Sequence, residues 1–428
     1  MIIEQHAMQL AHGTRLLVGR APHAGTCSVA VFVRWGSANE DPRSNGIGHV
    51  LEHMAFKGTE RRTDGRTQVR DARQVNLEAE RLGAEVNAHT DKDHTAYYMR
   101  GLPQHAARML HMLAEIVLHP SLPAAELERE RQVLLQEFAE DEDDPVSTAF
   151  KLLDKASFGM HPAAQPVMGT RRNLERFTRE DLVAHRAAGY LAEQVVVGIS
   201  GAVRPDEMQR EAERAFAEVP AGRVAPVPEP AWRGEILTRA LAGSSQSHLA
   251  LGFPVPARRA DDPVATVAAA VLGEGMSSPL LDRVREQRGL AYYTACSADV
   301  LEMCGQFVVE ASTAPDDVEA LVREVMALMR EHAAQAAPLE LERARSQLAV
   351  RALRAQERGL RWLEDQALDW MATGRLRAEP ERTQRLMAVT PEQVRAHFES
   401  MLRAPPALAL TGAVPRAMRE RLRRALEG

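Results

Sequence analysis

The chain has 428 residues, of which 45% are hydrophobic and 26% charged, a composition typical of globular proteins rather than disordered ones. Its 53 Lys and Arg residues against 59 Asp and Glu residues give a net charge of −6, which disfavours nucleic acid and anionic membranes as partners. The length suggests roughly two or three domains, and three cysteines, Cys27, Cys296 and Cys304, cannot build a disulfide framework or a cysteine-based zinc ribbon.

No targeting segment is visible in the first 20 residues, because they lack an apolar core after a basic start. No apolar run approaches the roughly 18 residues that indicate a membrane-spanning helix. The sequence therefore predicts a cytoplasmic protein, and it does not exclude the periplasm.

In the first half of the chain, a strand is predicted over residues 27–35 from their apolar and β-branched side chains. His49, Glu52 and His53 follow with the spacing H-x-x-E-H. On a helix the two histidines are four positions apart and share a face, so both imidazoles can bind one Zn²⁺. Glu52 lies beside them, where it can act as general base on a metal-activated water, and the spacing is that of the inverted zincins.

Two strands are predicted next, at residues 86–90 and 95–99. The edge of this pair can hold an extended peptide by backbone hydrogen bonds, although an ordinary hairpin is the alternative. A helix predicted over residues 123–140 carries Glu130 and Glu137 seven positions apart on one face, and they are either metal-site residues or a solvated acidic face. The acidic run at 140–144 is predicted to be the solvated end of that helix.

Internal similarity divides the chain into two halves. Residues 178–185 and 390–397 share a Thr N-cap, an acidic first turn and an Ala-His ending, and they begin 212 positions apart. A short apolar strand follows each segment, and both strands lead into the tripeptide Gly-Ala-Val. We infer two copies of one domain.

A Pro-rich linker at residues 221–230 separates these copies, so we predict one domain at 1–220 and a homologous one at 231–428. The mixed order of elements indicates an α+β fold, in which each domain is a mostly antiparallel sheet with packed helices. The main elements expected in addition are a strand at 247–253 and helices at 178–189, 316–334 and 338–368.

Together these motifs resemble the M16 metallopeptidase family, which includes pitrilysin, insulin-degrading enzyme and the mitochondrial processing peptidase. The resemblance covers nearly the whole chain through the two-domain repeat and four motifs. They are G-x-x-H-x-x-E-H-M-x-F-K-G-T at 46–59, N-A-x-T with T-x-Y-Y at 87–98, E-R-x-V-x-x-x-E at 130–137, and R-E-x-x-G-L-A-Y at 285–292.

The resemblance implies one zinc ion per chain, held by His49, His53 and Glu137, with Glu130 supporting the site electrostatically. In the family, fewer residues usually separate the last histidine from the ligand glutamate than separate His53 from Glu137, and Glu130 would fit that shorter spacing. We attribute the extra length to an insertion within residues 59–87 and assign Glu137, with Glu130 as the alternative ligand.

The resemblance also implies that Asn87 and Ala88 align the substrate as an added strand and that Arg285 and Tyr292 bind it. An Arg can donate to a peptide carbonyl, and a Tyr hydroxyl can donate to a developing oxyanion. A surface ion pair and a core tyrosine are the structural alternative. Because the second half has no H-x-x-E-H, one chain corresponds to half of the family's clamshell, and a homodimer, or a heterodimer with a related subunit, would supply the Arg/Tyr pair in trans.

The sequence therefore predicts a zinc metalloendopeptidase that hydrolyses peptides or unfolded polypeptide segments, with Glu52 as general base. The alternatives are a non-catalytic peptide-binding subunit, since the family includes members without the metal site, and a purely structural zinc. Other histidines, among them His89 and His94, are predicted to be surface or strand residues because no matched carboxylate stands at ligand spacing. No motif specifies the physiological substrate.

Overall fold

The computed structural model describes residues 3–63 and 66–427. Its strands, in chain order, are β1 Glu4–Gln9, β2 Arg15–Arg20, β3 Cys27–Val33, β4 Gly58–Thr63, β5 Arg66–Asp71, β6 Glu85–Thr90, β7 Thr95–Gly101, β8 Val195–Gly201, β9 Ile236–Ala240, β10 Ser247–Val255, β11 Ala291–Val300, β12 Gly305–Thr313 and β13 Ala407–Gly412.

The α-helices, in the same order, are α1 Ile47–Ala55, α2 Ala72–Arg81, α3 Ala106–Leu118, α4 Ala124–Asp143, α5 Pro145–Phe158, α6 Arg171–Leu174, α7 Arg179–Gly189, α8 Pro205–Ala215, α9 Val264–Gly273, α10 Pro279–Leu281, α11 Val318–Ala334, α12 Pro338–Gln356, α13 Gly359–Thr373, α14 Glu379–Ala388, α15 Pro391–Met401 and α16 Met418–Glu427. A π-helical segment, Asp282–Gln287, continues directly from α10. Among the described residues, no helix is both long enough and apolar enough to span a membrane.

The chain forms two compact units, and each combines segments from both halves of the sequence. Unit 1 comprises the described residues within Met1–Phe138, Pro166–Val227 and Leu353–Arg377. Unit 2 comprises those within Ala139–Gln165, Pro228–Ala352 and Ala378–Gly428. The units thus differ from the predicted ranges 1–220 and 231–428, because α5 belongs to unit 2 and α13 to unit 1.

The two units contain sheets of the same topology. Unit 1 has a six-stranded sheet in the order β1-β2-β8-β3-β7-β6, in which β2 and β8 are parallel and the other neighbours antiparallel. Unit 2 has a five-stranded sheet in the order β11-β12-β10-β13-β9, in which β13 and β9 are parallel and the others antiparallel. Read from β9, this order matches that of unit 1 from β2 onward. The predicted α+β fold of two homologous, mostly antiparallel domains is confirmed.

Helices cover both faces of each sheet, and this explains the long apolar runs in the central strands. Every residue of β3 and β8 is buried. One face of the unit 1 sheet packs on α1, α3, α7 and α8, and the other packs on Trp362, Leu363 and Ala367 of α13. α13 lies so close to β8 that a Cβ added at Gly198 would be 2.9 Å from Leu363.

Unit 2 repeats this plan with α5 in the place of α13. Residues of α9, α11 and α15 cover one face of its sheet. Ala149, Leu153 and Ala156 of α5 cover the other face, against Ala250 and Val308. One helix of each unit therefore comes from the opposite half of the sequence.

Most predicted elements are found within a few residues of their expected bounds. Thr178 and Thr390 cap α7 and α15, since each hydroxyl accepts a hydrogen bond from the third backbone N–H of its helix. The single helix predicted at 338–368 is wrong, because the chain forms α12 and α13 with a break at residues 357–358. After the break, Gly359 begins a helix that packs on the unit 1 sheet. A Cβ atom added at Gly359 would lie only 3.1 Å from Ser200 Oγ, so the helix start is close to β8.

Candidate metal centre

The H-x-x-E-H segment lies on α1, and local interactions fix where that helix begins. Gly46 precedes it with φ of 98°, a left-handed conformation that favours glycine. The buried Glu40 carboxylate accepts hydrogen bonds from the backbone N–H groups of Gly46 at 2.7 Å and Gly48 at 2.8 Å. These contacts satisfy N–H groups that a helix start leaves unpaired, and they hold the first turn in place.

The two faces of α1 are chemically different. Val50, Leu51 and Met54 are buried in the core of unit 1. His49 and His53 are half-buried on the side that faces α4. Packing of the apolar side therefore sets the direction in which both imidazoles point.

Helix α4 presents its two glutamates by the same logic. Leu127 and Leu134, seven residues apart, are buried and anchor the helix to the core. Glu130 and Glu137 are also seven apart and lie toward α1, Glu130 being buried and Glu137 about 39% exposed at its side chain. The more exposed carboxylate is the one that meets both histidines.

Three donor atoms converge between α1 and α4. His53 Nε2 lies 3.2 Å from His49 Nε2, and Glu137 Oε2 lies 3.9 Å from His49 Nε2 and 3.5 Å from His53 Nε2. Bonds of about 2.0–2.1 Å in tetrahedral geometry place ligand atoms about 3.3 Å apart. Two imidazoles and one carboxylate at these separations fit a zinc ion with a fourth position left for water.

Glu130 contacts the outer nitrogen of His53 and does not reach the convergence point. Its Oε1 is 3.0 Å from His53 Nδ1, and its Oε2 is 2.5 Å from Lys57 Nζ. Burial alone would raise the pKa of Glu130, but hydrogen bonds from Lys57 and His53 hold it below its usual value. A carboxylate in this position keeps a proton on Nδ1, so the lone pair of His53 lies on Nε2.

Glu52 lies on α1 beside the convergence point without joining it. Its Oε2 accepts a hydrogen bond of 2.6 Å from Thr90 Oγ1, at the end of β6. Burial raises the pKa of Glu52 above its usual value, and the Thr90 hydrogen bond opposes that shift. The arrangement suits a base that is positioned by one hydrogen bond and keeps its other oxygen available.

Asn87 and Ala88 lie on β6, which stands last in the order of the six-stranded sheet. Ala88 N donates a 2.8 Å hydrogen bond to Asn87 Oδ1, so the side chain of Asn87 accepts from a backbone N–H group of this edge strand. A peptide added alongside β6 would exchange this contact for a backbone one.

Arg285 and Tyr292 belong to unit 2, and the structure brings these two together. Arg285 lies in the π-helical segment, with its guanidinium carbon 5.4 Å from the centroid of the Tyr292 ring. Tyr292 is 84% exposed, which excludes a core position for this tyrosine. Arg285 also pairs with Glu286 at 3.3 Å.

Two contacts of the site were not predicted from the sequence, although the residues that make them lie inside the motifs described above. Lys57 belongs to the segment 46–59 and pairs with Glu130, and Thr90 belongs to N-A-x-T and positions Glu52. Their place in the motifs was the available signal, but neither residue type indicates which carboxylate it contacts.

Comparison with known families matches both halves of the chain. Residues 15–171 match the family described as Insulinase (Peptidase family M16). Residues 176–348 match the family described as Peptidase M16 inactive domain.

Relatives of known sequence cover most of the chain. A protein named uncharacterized zinc protease from Rickettsia bellii is 31% identical over 356 residues, covering 82% of this chain and 83% of its own. Another protein named as an uncharacterized zinc protease, from Bacillus subtilis, is 32% identical, covering 74% of this chain and 77% of its own. A probable mitochondrial-processing peptidase subunit beta from Schizosaccharomyces pombe is 31% identical over 63% of this chain and 54% of its own.

Solved structures share the fold over nearly the full length. A peptidase M16 inactive domain from Pseudomonas fluorescens superposes with a TM-score of 0.86 at 23% identity, covering 96% of this chain and 99% of its own. A protease from Helicobacter pylori gives a TM-score of 0.85 at 20% identity, covering 96% of this chain and 100% of its own.

Proposed function

Because the chain belongs to peptidase family M16, we propose that it is a zinc-dependent endopeptidase acting on peptides or unfolded polypeptide segments. The observation that carries the proposal is the convergence of His49 Nε2, His53 Nε2 and Glu137 Oε2 within 3.2–3.9 Å of one another. Relatives named zinc proteases support zinc as the metal. We assign one catalytic zinc ion to each chain.

The residues around the metal divide the chemistry between them. Zinc, when bound, supplies a Lewis acid for the scissile carbonyl and lowers the pKa of water. Glu52, held by Thr90, accepts the proton of the attacking water and later delivers it to the leaving amine. Glu130 orients His53 through Nδ1, and Lys57 balances the charge of Glu130.

Substrate binding is assigned to two surfaces. We propose that β6, through Asn87 and Ala88, takes up the peptide as an additional antiparallel strand. Arg285, whose guanidinium lies over the exposed ring of Tyr292 on unit 2, would bind the peptide together with Tyr292 in trans from a second subunit. The second subunit is a further copy of the chain, and the resemblance to a subunit of the mitochondrial-processing peptidase makes a related partner the alternative. Light scattering on the purified chain, alone and at rising concentration, distinguishes the two.

The test of function is cleavage of an internally quenched peptide with and without a chelator. Chelation should abolish cleavage and added Zn²⁺ restore it, while the protein stays folded. Glu52→Gln should retain zinc and lose about 10²–10⁴-fold in kcat, the range for general acid–base groups. The matched control is Glu60→Gln, since Glu60 is exposed and should leave turnover unchanged.

Three outcomes would contradict the proposal. Equal turnover of Glu52→Gln and the wild type excludes Glu52 as the base. Tight peptide binding by zinc-loaded protein without any cleavage supports a non-catalytic subunit instead. Unfolding on loss of the ion between α1 and α4, followed by circular dichroism of chelated protein and of His49→Ala, shows that this zinc is structural.

A further inference from the structure

A second cluster of ligand-type side chains lies in unit 1 and uses none of the residues of the first. It consists of His89 on β6, His94 in the turn before β7, and Glu364 on α13. Glu364 Oε1 is 3.0 Å from His89 Nε2 and 3.9 Å from His94 Nε2. The three donor atoms lie within 4.8 Å of one another, and the two rings are perpendicular with centroids 5.5 Å apart.

His94 is the anchor of this cluster because it is buried and Asp93 holds its Nδ1. Its side chain is 4% exposed, and its Nδ1 donates to Asp93 Oδ1 at 2.8 Å. Burial opposes the charge on His94, but Asp93 and Glu364 raise the pKa of its ring to about 9, so a metal ion at Nε2 would displace a proton. Nε2 is buried without a hydrogen-bond partner among the described residues, and it points toward Glu364. A buried ring nitrogen that makes no hydrogen bond is costly, so Nε2 requires either a proton or a metal ion.

The arrangement repeats the plan of the first centre with different residues. There, Glu130 contacts Nδ1 of His53 and leaves Nε2 toward the convergence point. Here, Asp93 contacts Nδ1 of His94 and leaves Nε2 toward Glu364. A carboxylate behind the histidine is the usual outer-shell contact of a metal-binding imidazole.

We propose that His89 Nε2, His94 Nε2 and Glu364 form a second zinc site. Two imidazoles and a carboxylate suit zinc among the divalent metals. The side chain of His89 is 40% exposed, which gives a zinc ion a path into the site. The exposure also lets the His89 ring move, so that the longer distances between donor atoms can shorten around the metal. A fourth position remains for solvent.

The role of this second site is to hold α13 on the β6–β7 hairpin. Glu364 is 270 positions from His94, so the metal would tie a late segment of the chain to an early one. His89 is next to Thr90, which donates to Glu52, and both are on the strand assigned to substrate. The rival occupant is a proton, which would make His94 a cation paired with Asp93 and Glu364 without any metal.

The test counts zinc ions in the full chain after chelator treatment and equilibrium dialysis against Zn²⁺, by elemental analysis. The second site is removed by Glu364→Gln and, independently, by His89→Ala, whose exposed position protects folding. The first centre is removed by His49→Ala. Asp365→Asn is the matched control, because Asp365 neighbours Glu364 on α13 and loses the same charge. Its partner Arg361, at 3.0 Å, also contacts Glu364 Oε2 at 3.4 Å, and the variant leaves the three donor residues in place.

The wild type and Asp365→Asn should bind two zinc ions, and each of the other three variants one. The double variant His49→Ala with Glu364→Gln should bind none. Asp93→Asn should weaken zinc binding at the second site about 10–100-fold. One ion in both wild type and Glu364→Gln would overturn the proposal in favour of the protonated ion pair. A second ion retained in both Glu364→Gln and His89→Ala would place it elsewhere. Because His49→Ala reports the first centre alone, failure of one site is distinguishable from failure of the other.

Discussion

At the scale of single residues, the two glutamates of α4 have separate positions relative to His53. Glu137 Oε2 lies 3.5 Å from Nε2, the nitrogen that also faces His49, whereas Glu130 Oε1 lies 3.0 Å from Nδ1. Their side-chain chemistry is the same, so the assignment of ligand and supporting residue depends on which nitrogen each one faces.

Isosteric substitutions should separate these two roles. Glu130→Gln should lower zinc affinity about 10–100-fold, the usual effect of losing an outer-shell partner. Glu137→Gln removes a ligand atom and should lower affinity further than Glu130→Gln does. Competition with a chromophoric chelator measures both. If Glu130→Gln lost the metal and Glu137→Gln retained it, Glu130 would be the ligand.

The residues that we propose as ligands differ in how far the sequence could predict them. His49 and His53 are four positions apart on one helix, so local spacing was sufficient to predict that their imidazoles lie together. Glu137 was selected over Glu130 from the family resemblance, with an insertion to account for the longer spacing, because spacing along the chain does not determine which turn of α4 faces α1. Glu364 was not identifiable with His89 and His94, since no local pattern connects residues of β6 and α13.

At the scale of elements, the acidic run at 140–144 has more partners than a solvated helix end requires. Glu142 accepts hydrogen bonds from Lys151 of α5 at 2.6 Å and from Arg239 of β9 at 2.7 Å. Asp144 caps α5 by accepting from the backbone N–H groups of Val146 and Ser147. The run therefore ends one helix, begins the next and links α5 to a strand of unit 2.

Glu142 should make unit 2 sensitive to acid. Burial opposes ionisation, but the hydrogen bonds from Lys151 and Arg239 lower the pKa of Glu142 in the folded state below the unfolded value of 4.5. The stabilisation is therefore present above pH 4.5 and is lost as the pH falls through the lower folded pKa. Because these side chains are partly exposed, Glu142→Gln should cost about 1 kcal/mol at neutral pH.

Urea unfolding as a function of pH checks this expectation. The difference between wild type and Glu142→Gln should shrink as the solution becomes acidic, and the exposed Asp143 provides a control in Asp143→Asn. A difference that is independent of pH would show that the carboxylate contributes through packing rather than charge.

Helix α13 carries a large part of the packing of unit 1. Trp362 is 3% exposed and contacts the face of the sheet formed by Leu17, Phe32 and Val196. Trp362→Ala should lower the free energy of unfolding by about 3–5 kcal/mol, as expected for truncating a large buried aromatic side chain. Urea denaturation measures the loss, and Leu353→Ala, at a position 58% exposed, should change it little. Equal effects of the two substitutions would mean that α13 is not part of the core.

At the scale of the whole molecule, the repeat was visible in the sequence but the exchange of helices was not. The paired segments at 178–185 and 390–397 predict two copies of one domain, and the two sheets share one strand order. A cut at the Pro-rich linker follows from reading these copies in sequence. Apolar periodicity shows that α5 and α13 pack against something, but it does not identify which sheet each one covers.

The exchange predicts that neither half folds independently. A fragment of residues 1–220 lacks α13, so Phe32, Ala96 and Val196 would lose the helix that covers them. A fragment of residues 231–428 lacks α5, which covers Ala250 and Ala409. Exposed apolar surface of this extent destabilises a sheet and promotes aggregation.

Expressed separately, each fragment should be aggregated or should lack the cooperative unfolding transition of the full chain. Co-expression should restore soluble protein, because it returns α13 to the first fragment's sheet and α5 to the second's. Circular dichroism during thermal unfolding, together with size-exclusion chromatography, provides the measurement. Fragment 1–220 unfolding cooperatively on its own would show that the core of unit 1 is complete without α13, and that the exchanged helix only covers a sheet already stable without it.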